Sequence, residues 1–269
     1  MLDALLRLIP PFAVRLAGRA QTRVPALRPL FERVAGRVAA GEGVILRGPA
    51  AGLRFRADVN IAGYRLGTTE PAFQAAFAAR VPRGGVVYDL GANVGFYTVL
   101  AARLVGPEGR VVAVEPFPAS AETVRHNARA NGFEHVEVVE AAVGGAAGRA
   151  WLETDRDPVT YRLGPEGERP GIEVPVTTVD ALVAAGHPPP DLVKVDVEGV
   201  EVAALEGMTR TLADHRPALL VEVHHAVADF PDAVERIAAP LGYRASVLGG
   251  GPMPQGGTRA HVALDPPAR

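Results

Sequence analysis

Two short stretches hold acids and a base at a spacing suited to proton transfer. In DVEG, residues 196 to 199, Asp196 and Glu198 stand two apart, and in VEVHH, residues 221 to 225, Glu222 and His224 do the same. In an extended chain a spacing of two places both members on one face. These residue types take or hold the proton of a hydroxyl nucleophile: a carboxylate as base or strong acceptor, an imidazole of unperturbed pKa about 6.5 as base, a second acid to orient it. Asp196, Glu198 and His224 are therefore the catalytic candidates, and if His224 is the base the rate should fall at acid pH. Each has a structural use as well. Either acid can cap the following helix for about 1 kcal/mol, and a lone histidine often only packs. His225 falls on the opposite face. Asp196, Glu222 and His224 also carry donor atoms for a divalent cation, but no tight spacing supports a metal site and none is assigned.

Lys194 precedes these acids on the same face and is the only lysine among 28 basic residues. Arginine serves wherever a generic cation suffices in this chain, so the lysine points to a particular job, with a buried carboxylate as its expected partner.

A second constellation reads as a cofactor turn. VVYDLGANVGFYTVLAAR, residues 86 to 103, runs from strand formers through Gly91 and Gly95 into an apolar helical pattern. A strand feeding a helix in this way aims a positive helix end at a ligand. A dinucleotide site wants GxGxxG, but aligned from Gly91 the next two glycine positions hold Asn93 and Phe96. The residues form DxGxxxG instead. A carboxylate at Asp89 would repel a pyrophosphate and suit an ammonium, and S-adenosylmethionine carries an ammonium and a sulfonium. Glu115, ending the next strand-like run, is placed to accept from both ribose hydroxyls. Asn93 either caps the helix or meets the methionine end, and Glu140 either accepts from the adenine amine or is simply exposed at a strand end. The cofactor-binding candidates are thus Asp89, Gly91, Asn93, Gly95, Glu115 and Glu140.

The elements that must position these residues alternate regularly. Strand-like runs at 86–91, 110–116, 136–144, 191–199 and 218–225 are separated or followed by helical patterns at 96–105, 119–131, 200–213 and 227–239. This βαβ rhythm predicts a doubly wound, mostly parallel α/β sheet whose ligands sit at the C-terminal strand ends. Asp89, Glu115, Glu140, Asp196 and Glu222 would gather on that rim. Residues 145–176, with Trp151, Tyr161 and several turn signals, break the rhythm and suit a hairpin or loop. The tail from Gly242 reads as two strands around a Gly/Pro loop.

Composition bounds the rest. A chain of 269 residues that is 48% hydrophobic can bury a full core. Its net charge of -2 gives no reason to expect nucleic acid or an anionic membrane as a partner. Cysteine is absent, which excludes disulfides, thiolate metal sites and a cysteine nucleophile. Pro10, Pro11, Arg7 and Arg15 interrupt the leucine-rich start, so neither a signal peptide nor a transmembrane helix is expected, and a cytoplasmic location is. Nothing in the sequence specifies an oligomeric state. The division expected is an Arg-rich helical extension over 1–69, as an amphipathic membrane-touching segment or a solvated appendage, followed by the catalytic domain over 70–265.

The series VVYDLGANVGFYTV, VVAVEPFP, RHNARANG, VEVVEAAVG, VPVTTVDAL, DLVKVDVEGVEVAALEGM and RPALLVEVHH resembles the FkbM family of class I S-adenosylmethionine-dependent methyltransferases, in this order and at similar spacing, over about residues 64 to 225. The resemblance implies a seven-stranded Rossmann-like sheet with a reversed last strand, and methylation of a hydroxyl on a sugar or secondary metabolite. Such a transfer needs alignment of donor and acceptor and removal of the acceptor proton, with no oxyanion hole. The competing expectations are a nicotinamide-dependent oxidoreductase on a similar fold and a cofactor-binding protein without catalysis.

Overall fold

The computed structural model describes residues 42–57, 62–154, 162–164, 167–224, 227, 229–255 and 258–268. The expected N-terminal helical segment within residues 1–41, Tyr161 and His225 lie outside the described residues. In chain order the elements are β1 (Glu42–Val44), β2 (Arg54–Arg56), α1 (Ala62–Leu66), α2 (Pro71–Arg80), β3 (Val86–Leu90), α3 (Phe96–Val105), β4 (Arg110–Val114), α4 (Pro118–Ala130) and β5 (Val136–Val139). There follow β6 (Ala142–Val143), β7 (Gly148–Glu153), β8 (Arg162–Gly164), β9 (Gly171–Thr177), α5 (Val179–Ala184), β10 (Leu192–Val195), α6 (Glu201–Glu206), α7 (Thr209–Asp214), β11 (Ala218–Val223), α8 (Phe230–Ile237), β12 (Arg244–Val247) and β13 (Ala260–Asp265).

The main sheet has seven strands in the order β12-β13-β11-β10-β3-β4-β5. All neighbours run parallel except β13, which lies antiparallel to both β11 and β12. The expected doubly wound, mostly parallel sheet with a reversed last strand is what forms. Its central strands are buried on both sides because VVYDL and LVKV are covered by helices above and below. Period-two alternation divides the core: Tyr88, Val193 and Val195 pack with Leu205, Met208 and Phe230 on one face, while Val87, Val111 and Leu192 pack with Phe73, Phe77 and Leu100 on the other. Among the described residues no helix is long and apolar enough to cross a membrane.

The second face also contains Ile45, Leu53 and Phe55, from the segment before residue 70. The β1–β2 hairpin is held there by two asparagines on α4. Asn127 Oδ1 accepts from Arg56 N at 2.8 Å, and its Nδ2 donates to Arg56 O at 2.8 Å and Val94 O at 2.8 Å. One turn on, Asn131 treats Arg54 N and O in the same way, each at 2.8 Å. Spaced four apart on a helix and two apart on a strand, the amides replace a missing neighbouring strand.

Three predicted elements are subdivided. The run 136–144 turns at Glu140–Ala141, so that β5 stays in the main sheet and β6 joins a four-stranded sheet in the order β6-β9-β7-β8. That sheet is built largely from the 145–176 insertion, for which a hairpin or a loop was expected: β7 lies between β8 and β9 and pairs antiparallel with both. Helix 200–213 breaks at Gly207 and Met208, where Gly207 O accepts from Asp180 N at 3.0 Å and the Asp180 carboxylate takes the N–H groups of Arg210 and Thr211 at 3.0 and 2.8 Å; Gly207 also lies against the Gly144 carbonyl, where a side chain has no room. The predicted helix 227–239 begins at Phe230 and continues beyond Ile237 as a 3-10 turn, Ala239–Leu241.

Candidate active site

The C-terminal ends of β3, β4, β10 and β11 open into a cavity of about 430 Å³, within the range of small-molecule sites. Its wall holds five carboxylates, Glu70, Glu115, Asp196, Glu198 and Glu222, against the His224 imidazole and the Arg259 guanidinium. Leu152 and Leu163 of the small sheet cover one side.

Beneath the cavity, β10 and β3 pair in a register that sets Lys194 directly beside Asp89. Lys194 Nζ lies 3.0 Å from Asp89 Oδ1 and 3.5 Å from Asp196 Oδ2, and donates to the Gly91 carbonyl at 3.0 Å. Burial works against its charge, but Asp89 and Asp196 outweigh burial and hold its pKa above the ordinary lysine value. Thr98 Oγ1 donates to the other Asp89 oxygen at 2.6 Å. The expected lysine–carboxylate pair is therefore present, and Asp89 is fully buried within it. Asp89, expected to meet a ligand ammonium, thus lies beneath the cavity wall with its oxygens on Lys194 and Thr98.

The turn after β3 serves mainly to join protein to protein. Gly91 has φ +73°, and a Cβ there would fall on the Asp196 carbonyl oxygen. Its N–H goes to Val114 O at 2.9 Å, and the Asn93 N–H goes to Glu115 Oε2 at 2.8 Å. These amides face inward, so a pyrophosphate finds no cradle of N–H groups, in agreement with the failed dinucleotide fingerprint. Gly91 and Asn93 line the cavity. Gly95 does not. Its positive φ and the approach of Val124, whose Cα would sit 3.2 Å from an added Cβ, make it a packing position between α3 and α4.

Glu115 lines the cavity from the end of β4, with its other oxygen accepting from Phe117 N at 2.9 Å. Burial pushes its pKa up to about 7, while the two backbone N–H groups pull the other way. Lone pairs remain on both oxygens for ribose hydroxyls. Glu140 is turned away, paired with Arg125 at 2.7 Å and 44% exposed, and its neighbours Ala141, Ala142 and Val143 form the wall in its place.

The three catalytic candidates meet. His224 Nε2 lies 3.3 Å from Glu198 Oε2, 3.7 Å from Asp196 Oδ1 and 3.7 Å from Glu222 Oε1. Its Nδ1 stands 2.5 Å from Glu201 Oε1, a fully buried carboxylate that also accepts from Gly199 N at 3.1 Å. Glu198 is held into the cavity by a left-handed backbone, φ +50°, a conformation that costs about 1 kcal/mol or more outside glycine. Burial disfavours the imidazolium, but the bonds to Glu198 and Glu201 and the field of Asp196 dominate and push the His224 pKa up to about 10. Desolvation raises the Asp196 pKa above the usual carboxylate range, opposed by Lys194 and His224. An imidazole with its pKa held this high orients a hydroxyl rather than taking its proton, in contrast to the base role and acid limb expected of His224.

Sequence reasoning passed over Glu70, Tyr64, Arg259 and Glu201. Glu70 precedes Pro71 and reads only as a helix start, and Arg259 follows a Gly/Pro loop with no motif. Glu201 sits within EGVEV, where an acid in the first helical turn looks like a dipole partner. Two triads, Asp196–Glu198–His224 and Glu70–Glu222–His261, bring possible ligand atoms within 4.8 Å of one another. In the first the imidazolium occupies the shared space, and in the second Arg259 is paired with both glutamates.

The methyltransferase FkbM domain matches residues 89–245, more than half of the chain. Among curated proteins, the hexuronic acid methyltransferase AglP of Haloferax volcanii is 29% identical over 148 residues, 53% of this chain and 57% of that protein. A protein-L-isoaspartate O-methyltransferase of Ignicoccus hospitalis is 39% identical over 62 residues, 23% of this chain and 29% of that one. The matches thus span little more than half of the first relative and less of the second. Among solved structures, the methyltransferase FkbM of Methylobacillus flagellatus superposes with a TM-score of 0.50 at 18% identity, covering 76% of this chain and 52% of that one.

Proposed function

The chain belongs to the FkbM methyltransferase family, whose cofactor is S-adenosylmethionine, and we propose that it methylates a hydroxyl oxygen of a sugar or secondary-metabolite acceptor. The observation that carries this reading is the convergence of Asp196, Glu198 and His224 at the cavity wall, directly beyond the glycine turn. The excess of carboxylates over cations there suits a ligand with an ammonium and a sulfonium. The Haloferax relative, named for a hexuronic acid, supports only the sugar part of this reading, since that acceptor carries a carboxylate.

The cofactor supplies an electrophilic methyl group on a positively charged sulfur. The protein's tasks are to hold an oxygen in line with that group, exclude water and take the oxygen's proton. Asp196 is the proton acceptor in this proposal. Lys194 fixes one of its oxygens at 3.5 Å, and the other faces His224 Nε2 at 3.7 Å. The raised Asp196 pKa brings the carboxylate closer to an alcohol in basicity. His224, anchored through Nδ1 by Glu201, keeps its proton and shares its Nε2–H between Glu198 and the acceptor oxygen in this proposal.

Transfer of a labelled methyl group to hydroxyl acceptors tests the proposal. Asp196→Asn should lower turnover by about 10² to 10⁴ with cofactor affinity within a few-fold. Normal turnover in that variant would return Asp196 to a structural role.

A further inference from the structure

Beyond Asp196 and His224 the cavity ends in a second group of charged residues that the proton chemistry does not use. Glu70 arrives from the start of α2, Glu222 from the end of β11, and Arg259 from the residue before β13. Arg259 Nη2 lies 3.2 Å from Glu70 Oε1 and is also paired with Glu222 Oε1. His261 Nε2 stands 3.4 Å from Glu70 and 3.6 Å from Glu222. The Tyr64 ring, stacked on Phe96 with centroids 5.2 Å apart, contributes an aromatic wall.

We propose that Glu70, Glu222 and Arg259 form an acceptor subsite for paired hydroxyls of an uncharged polyol, a neutral sugar above all, and that this subsite rejects acceptors carrying a carboxylate or phosphate. The inference rests on the methyl-transfer reading and deepens it.

The argument is one of donors, acceptors and charge. A hydroxyl both donates and accepts, so a neighbouring pair can donate to the glutamate oxygens not facing the guanidinium and accept from Arg259. Among the described residues the Glu70 Oε2 atom has a long contact, 3.5 Å from Tyr97 OH. An anion meets a different situation. The guanidinium it would seek is already shared by two carboxylates, and Glu222 is 2% exposed, so that carboxylate cannot turn out to solvent to make way. The incoming charge would also stand near Asp196 and Glu198 in a half-enclosed cavity, where repulsion is weakly screened. Glu70 stays ionised under these conditions: burial opposes its charge, but the His261 bond and Arg259 prevail and hold its pKa below the usual value. Tyr64 offers the flat apolar surface on which the C–H face of a sugar ring can lie.

The test uses the full chain loaded with S-adenosylhomocysteine and two probes that differ only at C6, methyl α-glucopyranoside and methyl α-glucuronide. Saturation-transfer NMR should give at least tenfold tighter binding of the neutral glycoside. In Glu70→Gln, which removes one of the two charges neutralising Arg259, that preference should shrink to threefold or less. Arg259→Met should weaken the neutral glycoside at least tenfold, with S-adenosylhomocysteine affinity unchanged by calorimetry in both variants. Equal or tighter binding of the glucuronide by the wild-type protein overturns the inference, as does failure of both probes to bind the loaded protein, or an undiminished preference in Glu70→Gln. Failure of the wild-type protein to bind S-adenosylhomocysteine would overturn the methyl-transfer reading itself, and the inference with it.

Discussion

At pH 7 the His224 imidazole carries its proton, because Glu198, Glu201 and Asp196 surround it and hold its pKa near 10. The sign of the pH dependence follows. Turnover should decline on the acid side as Asp196 takes up a proton above the ordinary carboxylate range, and on the alkaline side as His224 loses its proton near pH 10. The same group contributes to stability fully below its unfolded pKa of about 6.5, and that contribution is lost as pH rises toward 10. His224→Asn should abolish the alkaline limb of the pH–rate profile and flatten the fall in melting temperature over that range; a profile unchanged above pH 9 would show that His224 does not face the reaction. Glu115→Gln should weaken cofactor binding about tenfold or more, since a charged acceptor for two ribose hydroxyls is lost, and unchanged affinity by calorimetry would remove Glu115 from the site. Lys194 and Glu222 were legible in the sequence because a period of two fixes their face within β10 and β11, and Asp196 and His224 follow directly on those strands; Glu198 reaches them by a left-handed turn that the period does not describe. The state of the imidazole was not legible, since it depends on Glu201, a partner brought in by a different element.

The elements themselves were legible wherever hydrophobic period and glycine placement agreed, as in β3, α3, β4, β10 and β11. Departures arose where a neighbour overrides local pattern: Asp180 takes the N–H groups of Arg210 and Thr211 where helix 200–213 breaks, and β6 leaves the main sheet to pair with β9. The asparagine pair on α4 is a clearer case, since RHNARANG reads as an ordinary helix end while its amides carry the backbone of β2. Asn127→Leu should cost about 2 to 4 kcal/mol by urea unfolding, because the buried Val94 carbonyl and the part-buried backbone groups of Arg56 lose their partners. Asn131→Leu, at a more exposed position, should cost less. Equal and small losses would mean that water takes over both sets of bonds.

Across the whole molecule the cavity is divided by origin. Gly91, Asn93 and Glu115 come from the middle of the chain, inside the span that the family shares. Tyr64, Glu70 and Arg259 lie outside that span, one group before it and one after it. Tyr64→Ala should therefore raise the acceptor KM while cofactor affinity stays constant, and a parallel loss of cofactor binding would place Tyr64 on the wrong side of the cavity. Chelation with EDTA should leave transfer unchanged, because the charge that a cation would bring to Asp196 and Glu198 is already supplied by His224; loss of activity restored by magnesium would reverse that assignment. The Glu70–Arg259 contact joins residues 189 positions apart, yet the strand that carries Arg259 to it, β13, is paired with both β11 and β12 and is fully buried at Val262, Ala263 and Leu264. The guanidinium itself is about half exposed. Release of that one side chain would thus open the acceptor end with the sheet still zipped, and hydrogen exchange at β13 should stay slow while the door swings.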